Sequence, residues 1–172
     1  MTVFLCGFMG CGKSTIGKLA AKKLGCGFCD TDDLIVRTLE MTIPEIFEKK
    51  GEPFFRLTEA EIVKSLCGKT TVAACGGGAM LYPDTARAAR EAGAAVVYID
   101  VPFEVCYERI KDDTNRPIVV SSTKEQLEEL YNSRKDIYLK HSTIRLECSG
   151  SPVENAELIV RSLRKWVRYA YL

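Results

Sequence analysis

The chain has 172 residues, 47% of them apolar and 27% charged, the balance of one globular domain able to bury its own core. A formal net charge of +1 gives no footprint for DNA or an anionic membrane surface, and no apolar run approaches the ~20 residues of a membrane span. The first residues enter a strand pattern at once, so no signal or transit peptide is expected and the default compartment is the cytoplasm.

Thr2–Cys6 is a short run of apolar and β-branched side chains and reads as a buried strand. Gly7-Phe8-Met9-Gly10-Cys11-Gly12-Lys13-Ser14-Thr15 follows with the spacing G-x-x-x-x-G-K-[ST], and a helical pattern begins at Lys13. Strand, glycine loop and helix in that order make a phosphate-binding loop. The glycines let successive N–H groups turn toward an anion, Lys13 reaches the β- and γ-phosphates, and the Ser14 hydroxyl meets Mg²⁺. Ile16, Leu19, Ala20 and Leu24 recur at helical spacing as far as Gly25, where the helix stops. Residues 27–29 form a second strand that runs into Asp30-Thr31-Asp32-Asp33. Asp30 stands at the strand end, where ligands bind in parallel sheets. Asp32 and Asp33 open the next helix, whose dipole favours carboxylates, and Asp33 fits a plain capping role as well.

That helix continues over 34–39. Another begins near Thr42, with Pro44 early in it and Ile43, Ile46 and Phe47 as its apolar stripe; it breaks at Gly51-Glu52 and resumes over 54–66. Arg56 and Glu59 stand one turn apart there, a spacing usual in exposed ion pairs. Residues 70–75 are a third strand ending in Gly76-Gly77-Gly78, where no side chain obstructs a ligand approaching the backbone. No acid stands at the end of this strand, the usual place of a magnesium-holding carboxylate in phosphate-loop enzymes. Asp30, at the neighbouring strand end, is the candidate to replace it.

A helix over 83–92 stops at Gly93, Ala95–Asp100 is the clearest strand, and a helix covers 103–111. The polar stretch Asp112-Asp113-Thr114-Asn115-Arg116-Pro117 reads as a mobile lid spanning about 110–122. A long helix over 123–140 carries Arg134, residues 144–148 are a fifth strand, and Gly150-Ser151-Pro152 leads into a last helix with Ile159, Leu163 and Trp166 on one face. The alternation predicts an α/β fold: a five-stranded parallel sheet flanked by helices, one domain over 1–172, with a helical insertion at about 32–66 for a second substrate.

Eight cysteines, at 6, 11, 26, 29, 67, 75, 106 and 148, are scattered through strands and helices, and a chain of this size needs no disulfide framework. Cys26-Gly27-Phe28-Cys29 has the spacing of a redox pair, but no second pair follows and the one histidine is His141, so a zinc site lacks ligands. Buried, reduced thiols filling the core are the first reading and a redox pair the alternative. Cys11, beside a helix N-terminus, is expected to be a reactive thiol whose alkylation is blocked by MgATP.

Gly7-x4-Gly12-Lys13-Ser14-Thr15, Asp30-Thr31-Asp32, Gly51-Glu52-x3-Arg56-x2-Glu59, Gly76-Gly77-Gly78, Arg116-Pro117 and Arg134, in this order and spacing, closely resemble the shikimate kinase family over essentially the whole chain. The resemblance implies the three-layer fold of phosphate-loop kinases. It implies MgATP and shikimate as partners; a monomer is expected, and the charge balance leaves neither nucleic acid nor membrane as a partner. Gly10, Cys11, Gly12, Lys13, Ser14, Thr15, Arg109, Arg116 and Pro152 would bind ATP, with Arg109 stacked on the adenine and Arg116 brought down by the lid. Ser14 would ligate Mg²⁺ directly and Asp30 would hold it through water. Asp32 would take the hydroxyl that is phosphorylated, Arg56 and Arg134 would clamp the substrate carboxylate, and Gly76, Gly77 and Gly78 would line the floor. Lys13, Asp32 and Arg116 would be the catalytic set, and Glu59 would orient Arg56 instead of forming a surface pair. Ile118 replaces a usual leucine, and Ala74-Cys75 stands where some members carry a hydroxyl near the metal. A kinase for another hydroxylated acid such as gluconate, and a nucleotide-binding regulatory module, are the rival readings.

Overall fold

The computed structural model describes residues 1–114 and 116–170. Its strands are β1 (Thr2–Cys6), β2 (Gly27–Asp30), β3 (Thr71–Ala74), β4 (Ala95–Asp100) and β5 (Ile144–Glu147), all parallel, in the order β2-β3-β1-β4-β5. Between them lie α1 (Lys13–Leu24), α2 (Thr31–Leu39), α3 (Ile43–Leu66), α4 (Pro83–Glu91), α5 (Phe103–Ile110), α6 (Pro117–Val120), α7 (Lys124–His141) and α8 (Pro152–Ala170). The order reverses at β1, between β3 and β4, so the crevice for a ligand opens at the carboxyl end of β1. The phosphate loop begins there.

Alternation along β1 sends side chains into two cores, as the period of two requires. Val3 and Leu5 join Val97 and Ile99 of β4 in a cluster with Ile16, Ala20, Ile159 and Leu163, which puts α1 and α8 on that face. Phe4 and Cys6 join Val96 and Tyr98 on the other, against Val63, Met80, Ala86 and Tyr138 from α3, α4, α7 and the turn after β3. A third, smaller cluster of Ile35, Ile46 and Phe55 belongs to α2 and α3 alone.

The expected helix break falls on Gly51, whose φ of 80° and ψ of 167° bend α3 within a continuous run. Thr42 caps the first part through a reciprocal box with Glu45. Phe47 does not complete a buried stripe: Ile46 is fully buried, whereas Phe47 lies at the surface with its ring 4.8 Å from that of Phe55. The stretch expected as an unpacked lid contains α6, and Val119 of that turn is buried in the main core. The α6 turn is tied back by Val119 N–H to Arg116 O at 2.9 Å. Asn115, assigned to the lid from sequence, lies outside the described residues. Cys6, Cys11, Cys75, Cys106 and Cys148 are buried, Cys26, Cys29 and Cys67 half-buried, and all eight are free thiols. Among the described residues no helix is long and apolar enough to cross a membrane.

Candidate active site

The loop that leaves β1 is shaped by backbone that only glycine accepts easily. Gly7 has φ of 143°, and a Cβ there would stand 2.7 Å from the Ile99 carbonyl of β4. Gly10, at φ of 79°, would press its Cβ to 2.6 Å from Cys106 O. The loop is thus seated on β4 and α5 and curls over the start of α1. Lys13, at the head of that helix, donates to Gly7 O at 2.9 Å and Phe8 O at 3.0 Å, so its ammonium already lies inside the loop. Arg109 of α5 donates to Gly10 O at 2.9 Å from outside. Cys11 turns inward: its side chain is 1% exposed, in the core with Phe8 and Cys106. The expected reactive thiol is sealed by packing, and the Lys13 ammonium donates to its Sγ at 3.6 Å.

A cleft of ≈ 320 Å³ lies between this loop and the carboxyl ends of β2 and β3, bounded among others by Lys13, Ser14, Asp30, Asp32, Gly76 and Arg116. Thr15 and Gly12 also face it. Ser14 Oγ donates to Asp30 Oδ2 at 2.7 Å, while Asp30 Oδ1 accepts the Asp32 N–H at 3.1 Å and caps α2. Two adjoining hard oxygen donors suit magnesium, which keeps water and phosphate oxygens in most of its positions. Among the described residues no group of three or more His, Cys, Asp or Glu is placed to hold a metal ion.

The other half of the cleft converges on the three glycines. Gly76 N–H donates to Thr31 Oγ1 at 2.9 Å, and Tyr138 donates its hydroxyl to Gly77 O at 2.5 Å. Among the described residues the N–H groups of Gly77 and Gly78 donate to no protein acceptor. A Cβ on Gly78 would overlap the Arg56 guanidinium, and one on Gly77 would stand 3.7 Å from Arg134 Nη1. Two guanidinium groups therefore bracket two free N–H donors, the donor set that an anionic group with two oxygens requires.

Arg56 is held from both sides. Nη1 pairs with Glu59 Oε2 at 3.0 Å, and Nε and Nη2 both reach Glu52 Oε1, at 3.1 and 3.0 Å. Glu59 is only 2% exposed, so this one-turn pair is buried support and not a surface pair. Burial pushes the Glu59 carboxyl up to about 7, against the pull of Arg56. Asp32 is raised as well, by burial first and by neighbouring Asp30, while Lys13, Arg116 and Arg56 oppose the shift. Asp32 Oδ1 and Glu59 Oε1 are buried without a hydrogen-bond partner among the described residues. Such acceptors cost stability unless a ligand supplies donors.

Two expected residues stand apart. Arg116 bounds the cleft, but its Nε is held by Asp113 Oδ2 at 2.8 Å within the lid itself. Pro152 is exposed at the start of α8, and the cleft as enclosed here stops short of it at Arg109. The loop before α8 follows β5, the sheet's far edge strand, which explains the separation. Four contributors were given no role from sequence: Tyr138, and Thr31, Glu52 and Asp113, which stand inside the stretches quoted above. Glu52 and Asp113 had a legible signal, four residues before Arg56 and three before Arg116. Thr31 and Tyr138 act across 45 and 61 residues, and no local spacing announces them.

Comparison with known proteins agrees with this arrangement. The family model for shikimate kinase matches residues 9–164. A shikimate kinase of Geobacter sulfurreducens is 42% identical over 168 residues, covering 96% of this chain and 90% of that protein. One from Bacillus licheniformis is 39% identical over 166 residues, covering 94% and 93%. Among solved structures, shikimate kinase from Acinetobacter baumannii in complex with shikimate superposes with a TM-score of 0.88 at 33% identity, over 95% of this chain and 93% of that one. With the fold, the phosphate loop and the paired arginines in place, the chain belongs to the shikimate kinase family.

Proposed function

We propose that this chain transfers the γ-phosphate of ATP to the 3-hydroxyl of shikimate, giving shikimate 3-phosphate and ADP, with Mg²⁺ as the metal. The observation that carries the substrate is the bracket of Arg56 and Arg134 around the free N–H groups of Gly77 and Gly78, with the unpartnered Asp32 Oδ1 beyond it. A carboxylate in the bracket leaves the ring hydroxyls facing Asp32, between the clamp and the phosphate loop. Ser14 and Asp30 would hold Mg²⁺, which would neutralise charge on the phosphates.

The remaining work falls to the chain's own groups. Lys13 exchanges its two loop carbonyls for phosphate oxygens and faces the charge that develops there. Asp32 accepts the hydrogen bond of the 3-hydroxyl, aims its oxygen along the line of transfer and takes the proton as the new bond forms. Arg116 leaves Asp113 as the lid closes and meets the transferred group, and closure excludes water that would otherwise hydrolyse ATP. Arg109, beside Gly10, covers the adenine, with the Pro152 loop on its other side. Gly10 to Thr15 supply the backbone and hydroxyl donors around the phosphates. Glu59 fixes Arg56. The reading is of a monomer in the cytoplasm, and the near-zero net charge gives no electrostatic footprint for a nucleic acid or an anionic membrane surface.

The test is ADP release over a panel of hydroxylated acids that includes shikimate and gluconate, with ATP and Mg²⁺. Turnover with shikimate far above the others is expected. Preference for gluconate, or no acceptor-dependent ADP at all, would overturn the reading.

A further inference from the structure

The acceptor half depends on a hydroxyl that none of the roles above uses. Tyr138 sits on α7 one turn after Arg134, is 1% exposed, and ends in the 2.5 Å hydrogen bond to Gly77 O. Its ring stacks on Tyr98 of β4, with centroids 5.3 Å apart and planes at 27°. Tyr98 is in turn anchored through its own hydroxyl to Asp100, which Arg145 grips with two bonds. One more turn along the same face, His141 Nδ1 lies 2.8 Å from Met80 O. Helix α7 is thus fastened at two points to the segment that runs from Gly77 through the 3₁₀ turn Ala79–Leu81.

Gly77 has little else to hold it. Its N–H donates to no described acceptor, and as a glycine it has no side chain to pack. The place of a Cβ on Gly77 is 3.7 Å from Arg134 Nη1 and 4.0 Å from Tyr138 Oη, so guanidinium, hydroxyl and peptide meet at one point. Burial raises the phenol well above its ordinary pKa, with Arg134 opposing, so Tyr138 stays protonated and keeps donating through neutral pH.

We propose that Tyr138 is a positioning residue for the acceptor's carboxylate: by holding the Gly77 carbonyl beside Arg134 it sets the free N–H groups of Gly77 and Gly78 and the guanidinium in one geometry. Without the hydroxyl the peptide between Gly77 and Gly78 can rotate. Its carbonyl then turns toward the carboxylate, or its N–H away from it, while Arg134 keeps its charge but loses register with the floor. The nucleotide half, built on β1 and α1, is untouched. The inference rests on the reading of this site as a shikimate site, and the experiment separates the two.

The variant is Tyr138→Phe, which keeps the stacked ring. Loss of one positioning hydrogen bond, about 1 kcal/mol, corresponds to a rise of roughly fivefold to tenfold in KM for shikimate. KM for ATP and kcat should change by less than about twofold. The decisive readout is the ratio of kcat/KM for shikimate to that for its neutral amide. A variant that merely loosens the fold lowers both values together, whereas displacement of the carboxylate site lowers the acid alone and shrinks the ratio. A double-mutant cycle adds a second measure: in an Arg134→Ala background the same substitution should cost clearly less than in the wild type, since both act on one geometry. Should the phenylalanine variant fail to fold, Tyr98→Leu removes the ring that backs Tyr138, leaves its hydroxyl, and should shift the ratio in the same direction by less. An unchanged ratio, additive effects in the cycle, or an equal rise in KM for ATP would overturn the proposal. Failure of the wild type to phosphorylate shikimate would instead overturn the functional reading beneath it.

Discussion

In the nucleotide half of the cleft the loop satisfies much of its own polarity. Lys13 rests on Gly7 O and Phe8 O, both within six residues, and Ser14 is bonded to Asp30 across one strand. In the acceptor half, Asp32 and Glu59 each bury an oxygen with no partner, and the groups that meet there come from α2, α3, the turn after β3, and α7. The first half is a local device that folding completes. The second is assembled from distant segments and stays unsatisfied until a polyhydroxylated anion fills it. Strain of this kind is tolerated where a ligand resolves it, so the two halves should respond differently to damage.

The largest effect is expected from Lys13→Ala. In the proposed reading its cation faces the charge that develops on the phosphates, and loss of such a group costs at least about a hundredfold to a thousandfold in kcat. Turnover should fall to the detection limit while circular dichroism stays native, because the loop can hydrate the two carbonyls that Lys13 leaves. Near-normal turnover would show that this loop is not the phosphate site. Arg56→Ala and Arg134→Ala come next. With the proposed clamp, each leaves the substrate carboxylate short of a partner, a cost on the order of 2–5 kcal/mol, or roughly 30-fold to a few thousandfold in KM for shikimate. KM for ATP should move far less. Lysine at either position should rescue only in part, since a point charge cannot replace the planar fork. Shikimate amide should be a poor substrate of the wild type for the same reason; equal rates for amide and acid would remove the clamp.

A smaller effect, on stability alone, follows from Glu59. Its folded pKa of about 7 lies above the ordinary 4.5 of a glutamate side chain. Below the lower value both states are protonated and Glu59 costs nothing. As pH rises from there to about 7 the unfolded chain ionises while the folded one holds its proton, so stability is lost across that window and is flat above it. With the group almost wholly buried, the loss is at most roughly 3 kcal/mol. Urea midpoints at pH 5 and pH 8 should therefore differ more for the wild type than for Glu59→Gln. Equal pH dependence in the two proteins would mean that Glu59 is ionised throughout, held by Arg56.

The same contrast governs what could be read before the structure. The phosphate loop occupies nine consecutive residues with a strand before and a helix after, so spacing alone assigns it. Asp30 could be reached by elimination, because the end of β3 carries no acid. The Arg56–Glu59 pair could not be placed from its spacing: one turn apart describes an exposed pair as well as a buried one, and only the packing of α3 against α2, α4 and the glycine turn after β3 distinguishes them. The resemblance supplied that assignment. The contacts of Tyr138 and Thr31 escaped because their partners are backbone atoms of glycines far along the chain. Val119 shows the reverse limit, since a polar, proline-bearing stretch suggested a free lid and one apolar side chain seats part of it in the core.

The smallest expected effect is on Cys11, and it tests how closed the nucleotide half is. A thiol beside a helix N-terminus is in principle activated, and alkylation within a phosphate loop would block ATP. The loop turns that side chain into the core, where it is 1% exposed against Phe8 and Cys106, and a reagent can reach it only when the loop opens. The accessible thiols are the half-buried Cys26, Cys29 and Cys67, none of which bounds the cleft. Burial holds Cys29 and Cys67 above the ordinary thiol range, so even these should react slowly. Iodoacetamide at neutral pH, followed by peptide mass mapping, should label those three first and leave most activity intact, with or without MgATP. Labelling of Cys11 should begin only near the unfolding transition. Early modification of Cys11 with matching loss of activity, and protection by nucleotide, would mean that the loop opens readily in the folded enzyme and that the nucleotide half is the more mobile of the two.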